Sequence, residues 1–188
     1  TTIELIRSSL DFISFDDIQS VDGLTAVIDD TFSDVVFNFD ATALAGFDTL
    51  DIVFSEAPID AASGEALGLV VVQGPTNAYA DLEILNLEST GTATTGNVLD
   101  LLQVGPALED LNITGDVDLQ VLPDVGFANP FITTIDASDL EANLFGDDLF
   151  TYTSEVDGTV TFLGAEGYNY LELNSAFTSL TDFDVFTQ

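Results

Sequence analysis

Lysine, histidine, cysteine, methionine and tryptophan are all missing from these 188 residues, and the single basic side chain is Arg7. Each absence removes a class of chemistry. Without a basic patch the chain cannot neutralise a phosphate backbone, so no nucleic acid is expected as a partner. Anionic membrane surfaces repel it for the same reason. With neither His nor Cys there is no His-based triad, no thiol nucleophile and no ordinary zinc or haem site. Lack of Cys also means lack of a disulfide framework, so stability has to come from packing or from bound metal. No apolar run reaches 18 residues, and no membrane insertion is expected. The chain starts at Thr1 with no secretory-signal pattern, which reads as a processed chain or a fragment.

What is present is acid and hydrocarbon together. Thirty-four Asp and Glu give a formal net charge of −33, yet 46 % of residues are apolar, with 15 Phe and only 5 Pro. That is too much apolar material for a disordered polyanion. A chain of this length buries roughly 70 % of its unfolded surface as one domain, so one domain or one continuous array is expected.

Period-two alternation runs through most of the sequence. Val35–Phe39, Leu69–Val72 and Thr159–Leu163 read as short strands, punctuated by Gly74-Pro75, Gly96-Asn97, Gly105-Pro106 and Asn129-Pro130. The N-terminus stands apart: Ile3, Ile6, Leu10 and Ile13 have helical spacing, so residues 1–20 are expected to be a cap or connection, helical or extended. Residues 21–188 are expected to form the array.

A pattern apolar-x-x-apolar-x-apolar recurs, beginning at Phe47, Tyr79, Leu108, Ile132 and Leu180, at spacings of 32, 29, 24 and 48 residues. Repeats of this size suit the coils of a parallel β-solenoid with turns of unequal length. Stacking explains the pattern: Leu50, Leu82, Leu111, Ile135 and Phe183 would pile up inside while the intervening carboxylates face water. An antiparallel β-sandwich is the alternative, since it too has short strands and frequent turns.

Gly164-Ala165-Glu166-Gly167-Tyr168-Asn169-Tyr170-Leu171-Glu172 fits the calcium nonapeptide G-G-x-G-x-D-x-U-x in register, with Ala for the second Gly and Asn169 for the Asp. Leu171 keeps the inward role. Loss of the carboxylate weakens a calcium site, because hard cations prefer anionic oxygen. A corner that kept its shape and lost its ion is the competing expectation.

The stretches Leu111-Asn112-Ile113-Thr114-Gly115 and Ile132-Thr133-Thr134-Ile135-Asp136-Ala137-Ser138-Asp139-Leu140, followed by that glycine turn, resemble the β-strand repeats of bacterial surface-layer and RTX-type proteins. The similarity covers residues 108–173 well and 47–107 loosely. It implies a calcium-stabilised β-solenoid exported by a type I system and placed outside the cell or on its surface. Tandem intact nonapeptides, common in that group, are absent here.

Further calcium candidates are the pairs Asp16-Asp17, Asp29-Asp30 and Asp147-Asp148, and Asp116 with Asp118, because a divalent ion relieves the repulsion between adjacent carboxylates. Solvated loop charge is the plain alternative for each. Glycosidase chemistry needs two carboxylates, but with acid scattered everywhere no pair stands out, so no enzyme is expected. Phe127, Phe131, Phe145, Phe150, Tyr152, Tyr168 and Tyr170 could stack on a sugar or pack between subunits, but most are expected in the core, with Tyr at its edge. Together the residues point to a self-assembling structural protein of a surface layer, filament or adhesin. Its expected partners are calcium, copies of itself and cell-surface polysaccharide. A carbohydrate-binding or carbohydrate-cleaving β-helix module is the alternative function. Simple adaptation to high salt is a further explanation of the acidic surface.

Overall fold

Leu50 and Ile52 are separated by one polar residue, and an extended chain turns both to the same side. Such pairs recur in every coil, and burying them requires a second sheet to face the first. A computed structural model, describing residues 1–7, 12–31, 34–57, 66–76, 78–92, 96–121, 132–146, 160–171 and 183–186, shows how this is met. Strands are numbered in chain order. Sheet A runs β1 (Thr2–Ile6), β3 (Thr25–Asp29), β5 (Thr49–Ser55), β8 (Ile84–Thr90), β10 (Asp110–Gly115), β12 (Thr134–Leu140), β14 (Val160–Leu163), β16 (Phe183–Phe186). Sheet B, from the first coil to the last, is β2 (Phe12–Ile18), β4 (Asp34–Phe39), β6 (Leu67–Gln73), β9 (Asn97–Gln103), β11 (Leu119–Val121), β13 (Leu144–Gly146), β15 (Asn169–Leu171). The chain alternates between the sheets, and all neighbours pair in parallel except the short β7 (Ala78–Tyr79), which lies antiparallel on β6. This is a two-sheet parallel β-solenoid; the sandwich is excluded because its strands would be antiparallel.

Side chains of both sheets meet in one core. Leu50, Leu85, Leu111 and Ile135 stack across β5, β8, β10 and β12 and are fully buried. Phe162 of β14 continues the column. The expected stack is therefore corrected at two places. Leu85, not Leu82, follows Leu50, because the repeat in that coil begins at Leu82 and not at Tyr79. Leu82 is itself buried, three residues ahead, where Leu108 and Ile132 sit in the next coils. Phe183 pairs with Val160, two residues before the column, which continues from Phe162 to Val185. Across the core, Phe37 and Phe39 of β4 are buried, and the Phe37 ring stacks on Phe15 with centroids 5.4 Å apart.

The helical alternative for the N-terminus is also corrected. Thr2–Ile6 and Phe12–Ile18 are strands of the first coil, and Ile3 and Leu5 pair with Ala26 and Ile28. Period-two alternation satisfied by a neighbouring strand outweighs the helical spacing, and it leaves Ile6 exposed.

One feature fixes the corner after sheet A. Arg7, Asp30, Glu56 and Gly91 each follow a sheet A strand in equivalent positions, and all have positive φ, at 55°, 48°, 51° and 113°. Three non-glycine residues in the left-handed region, one above another, mark a corner imposed by the stacking.

Candidate functional site

Residues between the inward pairs form outward columns on sheet A. Register aligns Asp51, Asn86, Asn112 and Asp136 on four successive strands. The Asn112 amide donates to Asn86 Oδ1 at 2.8 Å, and the Asn86 amide donates to Asp51 Oδ1 at 2.7 Å. At the other end Asp136 Oδ1 accepts from the Ser138 N–H and hydroxyl at 2.9 and 2.7 Å. That contact stitches the bulge at which β12 slips relative to β10. Two carboxylates thus flank a pair of amides, with one oxygen each of Asp51, Asn86 and Asp136 given a donor from the next coil or turn.

The carboxylates singled out as calcium ligands are placed separately. Asp16 and Asp17 form a bulge in β2, and Asp17 has φ 57°. Asp16 Oδ1 accepts from Ser14 Oγ at 2.7 Å and from the Asn38 amide at 3.3 Å. Asp29 ends β3, while Asp30 turns the left-handed corner and pairs with Arg7 at 3.4 Å. Asp118 Oδ1 accepts from both the backbone and side-chain N–H groups of Asn143, each at 2.9 Å. Asp116 is exposed beside it. Asp147 and Asp148, like the aromatics Phe127, Phe131, Phe150 and Tyr152, lie outside the described residues. Among the described residues, no three carboxylates converge where one ion could sit.

Asn169 is held inside its own turn. Its Oδ1 accepts from the Ala165 N–H at 2.8 Å, and its Nδ2 donates to the carbonyls of Ala165 and Gly167 at 2.9 and 3.2 Å. The neighbouring coil is tied in, since the Tyr168 N–H donates to Asn143 Oδ1 at 2.7 Å. Asp118, Asn143 and the Tyr168 backbone therefore form a side-chain zipper down one corner. Two carbonyls of the Gly164–Leu171 turn, those of Ala165 and Gly167, thus receive the Asn169 amide.

A shallow groove along sheet A and its corner is lined by Glu88, Asp116, Asp139 and Glu141, with Thr90 and Thr114 between them. It follows the coil axis and collects four carboxylates without closing around a point. On sheet B, Phe145 and Tyr170 are register partners, and the Tyr168 ring lies 6.0 Å from Phe145. Tyr168 and Tyr170 are 62 % and 46 % exposed, so this aromatic surface faces water. Among the described residues, three carboxyls have displaced pKa values. Glu56 is held below the ordinary glutamate range by the Thr92 hydroxyl and then the Thr92 N–H. Asp40 is lowered by the Thr42 N–H and then its hydroxyl, and Asp34 is raised by burial. The lowered pair serve turns, which is a structural use of charge.

Sequence reasoning missed Asn97 and Ser89, both buried. The signal was present in Gly96-Asn97, a polar residue opening an otherwise apolar strand, but it reads equally as a plain turn. It also missed the second coil's repeat, Val21-x-x-Leu24-x-Ala26, whose last member is small; all three residues are buried. No family model, curated protein or solved structure matches the chain.

Proposed function

We propose that this protein is a non-enzymatic structural subunit that assembles with copies of itself outside the cell or on its surface, as a surface layer, filament or adhesin. The observation that carries this is the pairing of a rigid two-sheet array with carboxylates repeated along its outward columns and groove, as in Asp51, Asp136, Glu88, Asp116, Asp139 and Glu141. A periodic array of anions on a stiff frame suits a lattice better than a single ligand. Calcium is the partner this chemistry favours: its large, oxygen-only shell accepts carboxylates from different coils or copies, and it offsets their mutual repulsion. The ion's place is between open carboxylates and not in a closed turn.

Electron microscopy of the purified chain, with calcium and with chelator, tests this. Ordered sheets or filaments that form with calcium and dissolve with chelator are expected; dispersed monomers under both conditions overturn it.

A second reading, a carbohydrate-binding module, is favoured by the exposed Tyr168 and Tyr170 beside the half-buried Phe145, since aromatic faces stack on sugar rings. Retention on insoluble neutral polysaccharide, lost in Tyr168→Ala and Tyr170→Ala, would support it.

A further inference from the structure

We infer that the Gly164–Leu171 corner is an ion-free form of a calcium turn, in which the Asn169 amide stands where the cation would be. Ala165 N–H can only donate, and the Ala165 and Gly167 carbonyls can only accept. One side chain meets all three, at 2.8, 2.9 and 3.2 Å, and it must present an oxygen on one side and an N–H₂ on the other. Asn does this, and the pattern fixes which way its amide points.

An aspartate in the same place would keep the bond from Ala165 N–H and turn its second oxygen toward two carbonyl oxygens. Three oxygens would then face one another at hydrogen-bond range with no proton among them. That arrangement is repulsive until a cation enters, and an all-oxygen set with one negative charge is what calcium takes. The backbone of the turn is already drawn tight. A Cβ on Gly167 would come within 2.4 Å of the Ala142 carbonyl oxygen, and one on Gly164 would meet the Asn169 side chain at 3.0 Å. The corner thus keeps glycine-dependent geometry while its centre holds an amide. Its consequence is that this corner closes without calcium, and that one substitution, Asn169→Asp, makes its closure calcium-dependent. The inference does not rest on assembly and stands whether or not copies of the chain associate.

Amide hydrogen exchange of the full chain, followed at Ala165 with calcium chloride and with chelator, tests it. The wild-type amide is expected to keep the same protection in both. In Asn169→Asp, protection should fall about tenfold or more in chelator, a scale set by losing one or two hydrogen bonds, and return with calcium. Calorimetric titration should show calcium binding in that variant above the wild-type level. Asn169→Ala should lose protection in both conditions. Wild-type protection that collapses on chelation overturns the inference, as does an Asn169→Ala chain as protected as the wild type. Should Asn169→Asp fail to fold, the wild-type and Asn169→Ala measurements decide it alone.

Discussion

Asn97 donates through Nδ2 to Ser89 Oγ at 2.9 Å, and both residues are buried, at 1 % and 0 % exposure. The same amide reaches the Thr90 carbonyl at 3.0 Å, and Asn97 Oδ1 accepts from the Ala57 N–H at 2.8 Å. One side chain thereby joins the end of one sheet A coil to the next. Asn97→Ala should leave the Ala57 N–H and the Thr90 carbonyl unpaired in the core. Each such group costs about 1–3 kcal/mol, so the expected loss for the two is about 2–6 kcal/mol, read as a lower urea midpoint. Thr76→Ala, on an exposed turn, should change stability by less than about 0.5 kcal/mol.

Gly115 marks where backbone approaches backbone most closely. A Cβ there would lie 2.0 Å from the Ser89 carbonyl oxygen, and its φ is 122°. Gly115→Ala should destabilise by about 3–5 kcal/mol, since strain and overlap act together. Gly46 has open space around it, and Gly46→Ala should be neutral or stabilise by up to about 1 kcal/mol through the unfolded chain. Thermal melts of the two variants side by side check the contrast.

Glu56 accepts from the Thr92 hydroxyl at 2.6 Å and from the Thr92 N–H, and its pKa is lowered in consequence. A carboxyl with a depressed folded value stabilises the fold fully above its unfolded pKa, and this is lost as pH falls through the folded one. Asp40 acts in the same direction. Glu56→Gln keeps an oxygen for Thr92 but removes the titration. Its stability curve should therefore be flatter than the wild type's on descending from neutral pH through the ordinary glutamate range and below. A variant curve as steep as the wild type's would remove Glu56 from the acid response.

The chain carries thirty-four carboxylates against one arginine, and those along the outer columns and groove repel one another. Screening shortens that repulsion to about 4 Å near 0.5 M monovalent salt, against about 10 Å at 0.1 M. The melting temperature should rise by several degrees over that range, at about 2–4 °C per kcal/mol for a chain of this size. On the calcium proposal, millimolar calcium should give a comparable rise at low ionic strength, reversed by chelator. If calcium does no more than its ionic strength predicts, the acidic surface is a salt adaptation.

Much of the fold was legible because burial leaves a period-two trace and stacking leaves a repeat. Leu108-x-x-Leu111-x-Ile113 and Ile132-x-x-Ile135-x-Ala137 are read correctly, and all six residues are buried. Register was harder. Tyr79-x-x-Leu82-x-Ile84 matches the same template three residues before the real one, and only pairing with Leu50 and Leu111 shows that Leu85 is the stacked residue. At the N-terminus, alternation and helical spacing coexist in Ile3, Leu5 and Ile6, and the β3 strand alongside decides between them. Individual acidic roles were not legible. Asp16-Asp17 looks like an ion pair-site in sequence, but the extra residue it represents in β2 appears only once the pairing with β4 is known.

The left-handed corner after the sheet A strands sets a rule of succession for the array. Arg7, Asp30, Glu56 and Gly91 hold one position in four coils, three of them without glycine's freedom. Where coils touch only their neighbours, a coil gained or lost as a whole leaves that corner in line. A single residue gained or lost within a strand moves it out of line and turns the inward set outward. Such a chain should change length by whole coils and resist change by single residues.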